Sequence, residues 1–545
     1  MAYKLYPYSV EKLIECLAVG STFADEKWIS KKLHLVYFKE YFEELGAKTI
    51  VVEEDYIDRD YLEDYAAYYD RCFQNYGRRT LRLHFFDLEF DEDVFVTAVT
   101  AGEGCAQEKS LQDAYLGFVV VKPLPQSVVG RTCLRTYPND AGRRHFPCLR
   151  TYDVNLFGMQ LKVRSLAYQE QDTVVAACAT SALWSCLQGT GKLFQHPIPP
   201  PVEITNWAAE HMPENLGAVS SRAFPNNGLT ASQMAYAVRR VGLEPMVIGS
   251  PARYDLNGLA YAFLRGRIPS VLVYTLKEWD GEKLKEVGQH AVAVTGYSLD
   301  EGPPIPHLRT GLQLRSTRID KLYGHDDQVG PFARMIWNPP VNSDFGVAHP
   351  GDFNLLKTSG SDQVFAEINF VLLPLYHKIR IPYSLIHDTV FSLDKFIEQA
   401  RRGRVAKGEW DIFLTTANDY KISARSDYPT WGIDPAATLY KSLPRFMWRV
   451  LLRVNNKVEL DILFDATGIA QHSLVVHQVA QGGYKSMLEQ LARVRVKKGL
   501  DVDVQVAAVL EQFAPVWVGE AGGAIKGVAR NVETAVATEG GAANH

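Results

Sequence analysis

The spacing of apolar positions changes several times along the chain, and the changes divide it. From Leu35 to Leu45 apolar and aromatic residues recur at helical spacing and Gly46 ends the run, so a helix is expected there. KTIVVEE (48–54) reads as a strand, and DRDYLEDYAAYYDRCFQNYG (58–77) returns to helical spacing, rich in aromatics and closed by Gly77. Three further strands are expected over TLRLHFF (80–86), DVFVTAV (93–99) and YLGFVVVKPLP (115–125). Tyr61, Tyr65, Tyr68 and Tyr69 form a stripe that suits a packing face better than a ligand site.

The middle of the chain carries a helix signal, GLTASQMAYAVRRVGLEP (228–245), followed by strand-like runs in LRGRIPSVLVY (264–274) and GQHAVAVTGY (288–297). A shorter strand, DKLYGHDD (320–327), ends in adjacent carboxylates before the breaker pair Gly330-Pro331. HPIPPPVEI (196–204) and GPPIPH (302–307) read as stiff loops, and GTGK (189–192) as a helix C-terminal breaker. A Walker loop is excluded there, because the glycine it needs five residues before the Gly-Lys pair is Cys186.

Further on, FMWRVLLRV (446–454), Asn455-Asn456 and KVELDILFDA (457–466) make a hairpin signal, with HSLVVHQV (472–479) as a third strand. His472 and His477 would face opposite sides of that strand, which argues against a shared metal site. The small-residue, Gly-rich stretch from Gly519 has the composition of a mobile tail. The expected organisation is an N-terminal α/β region (1–160), a middle domain (165–345), a C-terminal α+β region (370–518) and the tail (519–545), α+β overall.

Composition narrows the setting. At 545 residues the chain should hold three or four domains, and 47% hydrophobic with 22% charged residues is ordinary globular usage. No apolar run approaches the ~18–20 residues needed to span a bilayer, and MAYKLYPYSVEKL lacks the apolar core of a secretory signal. A cytoplasmic protein is expected. Seven cysteines at irregular spacing form neither a disulfide framework nor a metal-ligand pattern. A net charge of −5 with no long basic run gives no electrostatic footprint for nucleic acid or anionic lipid.

The candidate chemistry lies in the middle domain. In QDTVVAACATSALW (171–184), Cys178 stands where a loop enters an Ala-rich, helix-favouring segment. Unpaired N–H groups and the positive end of a helix dipole favour thiolate over thiol at such a position. Cys186 would lie two turns inside the helix and gain little, so Cys178 is the expected nucleophile in preference to Cys186 or Cys105. His290 opens the alternating run HAVAVTGY, where an imidazole can face a site mouth. Asp326, with Asp327 beside it, supplies a carboxylate at the end of another strand. Cys attacks a carbonyl carbon, His moves the proton, and the carboxylate holds the imidazole in the right tautomer. The oxyanion needs preorganised donors, each worth ~3–4 kcal/mol of barrier. The Cys178 N–H and the Gln171 amide are the candidates, with Gln169 as the other nearby amide.

The order of these elements resembles the papain-like cysteine peptidases of the bacteriocin-leader-processing (double-glycine) type and their soluble relatives, over about residues 165–345. The resemblance implies a bacterial papain-like domain, a nucleophile helix packed on an antiparallel sheet, with Cys178 as nucleophile, His290 as base and Asp326 as orienting acid. It implies no cofactor and no metal, and a protein or peptide substrate cleaved through a thioester. The position six residues before the nucleophile, where the family carries its oxyanion Gln, is Asp172; Gln171 fills the role only if a bulge absorbs one residue. Ala179 stands where papain and the cathepsins have Trp, which argues against a secreted cathepsin. Transfer or deamidation at a Gln side chain, as in transglutaminases, uses the same covalent chemistry with another acceptor. A binding protein with a dead papain fold would require the triad geometry to fail.

Overall fold

The computed structural model describes residues 2–513 apart from 22, 173, 212–227, 280–283, 338–354, 361–363, 402–405, 470–472 and 500. It is an α+β protein whose paired strands run antiparallel throughout its four sheets. The first sheet is ordered β1 (Tyr3–Pro7), β2 (Thr49–Tyr56), β3 (Thr80–Phe86), β4 (Tyr115–Val121) and β5 (Val129–Leu134). Helix Leu33–Leu45, capped by Gly46 at φ 70°, buries the aromatic face Tyr37, Phe38, Tyr41 and Phe42. A short strand β6 (Arg144–His145) and the hairpin β7 (Arg150–Leu156) and β8 (Met159–Ser165) lead into the middle of the chain.

The central sheet contains β9 (Glu244–Gly249), β10 (Ser270–Trp279), β11 (Leu284–Leu299), β12 (Ile319–Asp326), β13 (Gly330–Trp337), β14 (Leu355–Lys357) and β15 (Val364–Leu375). Strands β10 to β15 pair in sequence, and β15 pairs back onto β10, so the six form a closed ring with no free edge between first and last. Strand β9 joins the outer half of β15, and β6 adds to β11. The helix Cys178–Phe194 lies across β10, β11 and β12 and buries nearly its whole length, including Leu183, Trp184 and Leu187. A last sheet, β16 (Glu409–Thr416), β17 (Phe446–Val454), β18 (Lys457–Asp465) and β19 (Val475–Ala480), packs through Trp410 and Trp448 onto the same core. Truncating one such buried Trp costs about 3–5 kcal/mol.

Four local expectations are corrected. DVFVTAV (93–99) lies in a helix, Glu92–Thr100, because the Asp91 side chain accepts from Val94 N and caps its first turn. The aromatic stretch 58–77 is helical only over Arg59–Ala67, with a single further turn at Tyr69–Arg71. GTGK does not end a helix: Gly189 sits against Pro269 and Gly191 against Ile198, so both serve close packing, and the helix continues to Phe194. The Pro-rich segment 196–204 turns helical at Pro201, whose missing N–H costs nothing in a first turn. His472 and the tail 519–545 lie outside the described residues.

Candidate active site

Three side chains named from the sequence meet at one end of the barrel. Cys178 is the first residue of its 17-residue helix, and the preceding Ala177 offers no side-chain cap. Its loop is shaped by Asp172, whose Oδ1 accepts from Val174 N (2.8 Å) and Val175 N (3.2 Å) and whose Oδ2 accepts from Tyr69 OH. The loop is also pinned to the first sheet: Tyr168 and Thr132 exchange two backbone hydrogen bonds, and Glu170 takes Val129 N and the Lys32 ammonium. Cys178 therefore sits on a buried helix reached by a loop fixed at several points.

His290 lies at the start of the buried half of β11, and its register partner on β10 is Tyr274. That pairing puts the Tyr274 ring edge-on to the imidazole at 5.6 Å between centroids, which limits how the imidazole can turn. Asp326 Oδ1 accepts from His290 Nε2 at 3.0 Å. The Cys178 thiol is near enough to the imidazole to favour its protonated form. His290 and Asp326 are thus in contact, with Cys178 beside them.

The carboxylates depart from the expectation that neighbouring strand residues face opposite sides. Asp327 Oδ1 is 3.5 Å from the same Nε2. The reason is local: β12 ends at Asp326, Val329 N closes a turn onto the Asp326 carbonyl (3.0 Å), and Asp327 belongs to that turn. Alternation stops where the strand stops. Gly330, which restarts the chain as β13, is packed so closely on Tyr37 that a Cβ there would run into the ring.

The two carboxyls are held in different states. Burial raises Asp326, but His290 and the Gln328 N–H (3.0 Å) reverse the effect and hold it below the ordinary value. Burial dominates at Asp327, whose oxygens have no hydrogen-bond partner among the described residues, and its carboxyl is pushed up to about 7. At His290 burial opposes the charge, yet the two carboxyls prevail and raise the imidazole well above its usual value. The surroundings of the imidazole thus favour its protonated form over the neutral ring. His290, Asp326 and Asp327 could each offer one ligand atom to a metal ion, these atoms lying within 4.8 Å of one another. A metal there would take the nitrogen that orients the imidazole.

Gln171 is half-buried, and its backbone carbonyl accepts from Ser127 Oγ. Its side-chain amide makes no hydrogen bond among the described residues, nor does that of buried Gln169. Asp172, six residues before Cys178, is spent on the loop and accepts rather than donates. Sequence reasoning missed two supports. His34 Nε2, on the helix Leu33–Leu45, lies 3.1 Å from the Asp327 carbonyl and 2.9 Å from Tyr168 OH. It ties the N-terminal region to the acid turn, and no local signal marked it. Asp172 was legible, since Asp two residues before a backbone turn is a known Asx pattern.

A cavity of about 170 Å³ opens beside His290 and Asp326, walled by Leu33, Leu276, Val287 and Val364. Cys186, by contrast, is fully buried, and burial pushes its thiol well above the ordinary value. All seven cysteines are free thiols, and among the described residues no helix is long and apolar enough to cross a membrane. No family model matches this sequence, and no curated protein is similar enough to it to count as a match.

Proposed function

We propose that this protein is a cytoplasmic thiol hydrolase with a papain-like catalytic domain, akin to the double-glycine leader peptidases, that cuts a peptide or isopeptide bond of a protein or peptide. The observation that carries the reading is His290, hydrogen-bonded through Nε2 to Asp326 at 3.0 Å and close enough to Cys178, at a helix start, for the thiol to favour the charged imidazole.

In this reading the Cys178 sulfur attacks the carbonyl carbon, and the charge that develops on oxygen is met by the Cys178 N–H and the Gln171 amide. The imidazolium of His290 gives its proton to the leaving nitrogen, so the C–N bond breaks to leave a thioester and a free amine. Neutral His290 then takes a proton from water, hydroxide adds to the thioester, and the sulfur departs as the acid is released. Asp326 stays ionised throughout and holds the ring. The cavity beside His290 can accept an apolar group, since a dry cavity of about 150 Å³ accommodates a benzene ring.

Labelling with iodoacetamide or a peptide aldehyde, followed by peptide mapping, tests the reading. Cys178 should react first at near-neutral pH, and His290→Ala should slow that reaction severely. First reaction at Cys105, or labelling of Cys178 indifferent to His290, would overturn it.

A further inference from the structure

Away from the triad, at the far half of the nucleophile helix, a recess of about 790 Å³ lies between the β7–β8 hairpin, that helix and the start of the last sheet. Its size falls within the ~300–1,000 Å³ typical of small-ligand sites. Its charge is one-sided. Arg150, Arg164, Lys192, Arg267 and Arg445 line it, and Asp419 is the sole carboxylate of the lining. Asp419 is paired with Arg267. None of the other four cations has a carboxylate partner among the described residues; Arg150 donates to the Gln188 carbonyl (3.3 Å) and Arg445 to the Leu193 carbonyl (3.2 Å). Five cations from separate parts of the chain thus converge in one recess of a protein whose net charge is −5.

We propose that this recess binds a small ligand bearing two or more phosphate groups. Convergent cations raise the local concentration of anions, and guanidinium groups match phosphate oxygens two at a time. Several charges on one small molecule are needed to engage cations spread over the recess, which a single carboxylate or chloride cannot do. The attraction comes from side chains rather than from the helix Ala417–Thr430 that begins at the rim. Its Ala417 N–H donates to the Arg445 carbonyl (3.1 Å) and its Asp419 N–H to Thr416 Oγ1 (3.1 Å). A small ligand is favoured over a nucleic-acid chain because the cations gather in a recess rather than along a stripe.

Isothermal titration of the full chain with tripolyphosphate, at fixed ionic strength and with sulfate as the comparison, tests this. Tripolyphosphate should bind at least tenfold more tightly than sulfate. Arg164 and Lys192 are exposed and make no polar contact among the described residues, so the double variant Arg164→Gln/Lys192→Gln should fold normally and bind at least tenfold more weakly. Arg445→Gln should give a loss of the same kind. Absence of binding, or binding unchanged in both variants, overturns the proposal. Tighter binding of a twelve-nucleotide single-stranded RNA than of tripolyphosphate, lost in the same variants, also overturns it, because the recess would then read a nucleic-acid backbone.

Discussion

Two buried acidic clusters in this molecule are built on opposite terms. Where the helix Arg253–Arg265 meets the last sheet, Asp411 is inaccessible yet fully bonded: Tyr261 OH (2.8 Å), Arg265 Nη1 (3.1 Å) and Arg453 Nε (3.2 Å) all donate to it. Burial alone would raise its carboxyl, and the two guanidiniums bring it below the ordinary value. On the same face of that sheet Arg449 grips Asp461 with two parallel bonds of 3.1 and 2.9 Å. At the barrel end, Asp327 is as deeply buried, but among the described residues its oxygens accept no hydrogen bond, and burial pushes its carboxyl up to about 7. Satisfied charges fix a fold, whereas an unsatisfied one stores free energy where protons move.

The largest effects should separate the clusters by what is lost. Replacing Cys178 by Ala should cut hydrolysis of a fluorogenic peptide library by about 10⁴-fold or more without shifting the urea midpoint. A parallel fall in stability would mean that the site and the core cannot be told apart. Asp326→Asn should cost about 10³–10⁴ in kcat, because the imidazole loses the acceptor that sets its tautomer. Equal losses from Asp326→Asn and Asp327→Asn would instead make the pair one functional unit.

In the structural cluster the expectation is reversed. Asp461→Ala removes the two-bond partner of buried Arg449, leaving it Ser423 Oγ and the more distant Asp427, and should destabilise the protein by about 3–5 kcal/mol in urea unfolding, with kcat of the surviving folded fraction unchanged. Gln171→Ala should lower kcat about a hundredfold and leave KM nearly unchanged. If Gln169→Ala gives that result instead, the oxyanion donor is the buried amide two residues earlier.

The smallest effect is the most diagnostic. Asp327 has a folded-state value near 7, above its unfolded value, so folding retains a proton that the unfolded chain has released. That contribution is fully present below about pH 4, is lost as pH climbs toward 7, and is level beyond. Asp327→Asn should flatten the fall of the urea midpoint across that window; parallel curves would show Asp327 to be ionised already. His290 acts higher: its raised value contributes stability that disappears only as pH rises through the folded value, above its ordinary 6.5. Asp326, held below the ordinary range, contributes stability that is lost as pH falls through its depressed value.

Much of this was legible because it was periodic or local. β3 and β17 begin and end at the residues expected, and the Asn455-Asn456 turn has the paired positive φ angles, 49° and 64°, that its sequence demands. Cys178 and Asp326 stood at element ends, where side chains can converge, whereas His290, expected to open its strand, is the seventh residue of β11, where the buried half begins. What escaped was set by partners remote in sequence. The segment 93–99 alternates like a strand but is capped as a helix; glycines 189 and 191 look like breakers but pack against Pro269 and Ile198. The basic recess draws on residues from Arg150 to Arg445, so no search for a basic run could find it.

Closure of the barrel also sets when the molecule becomes complete during its synthesis. His290 reaches the ribosome exit long before β15, yet the strand before it, β10, has an open edge until residues 364–372 arrive to pair with it. At about 5–20 residues per second, the ~85 residues between His290 and the end of β15 take roughly 4–17 s to make. Through that interval the histidine strand belongs to an open sheet rather than a ring. A nascent chain can thus carry Cys178 and His290 without yet having the frame that aligns them, and so passes its most exposed stage with the site unassembled.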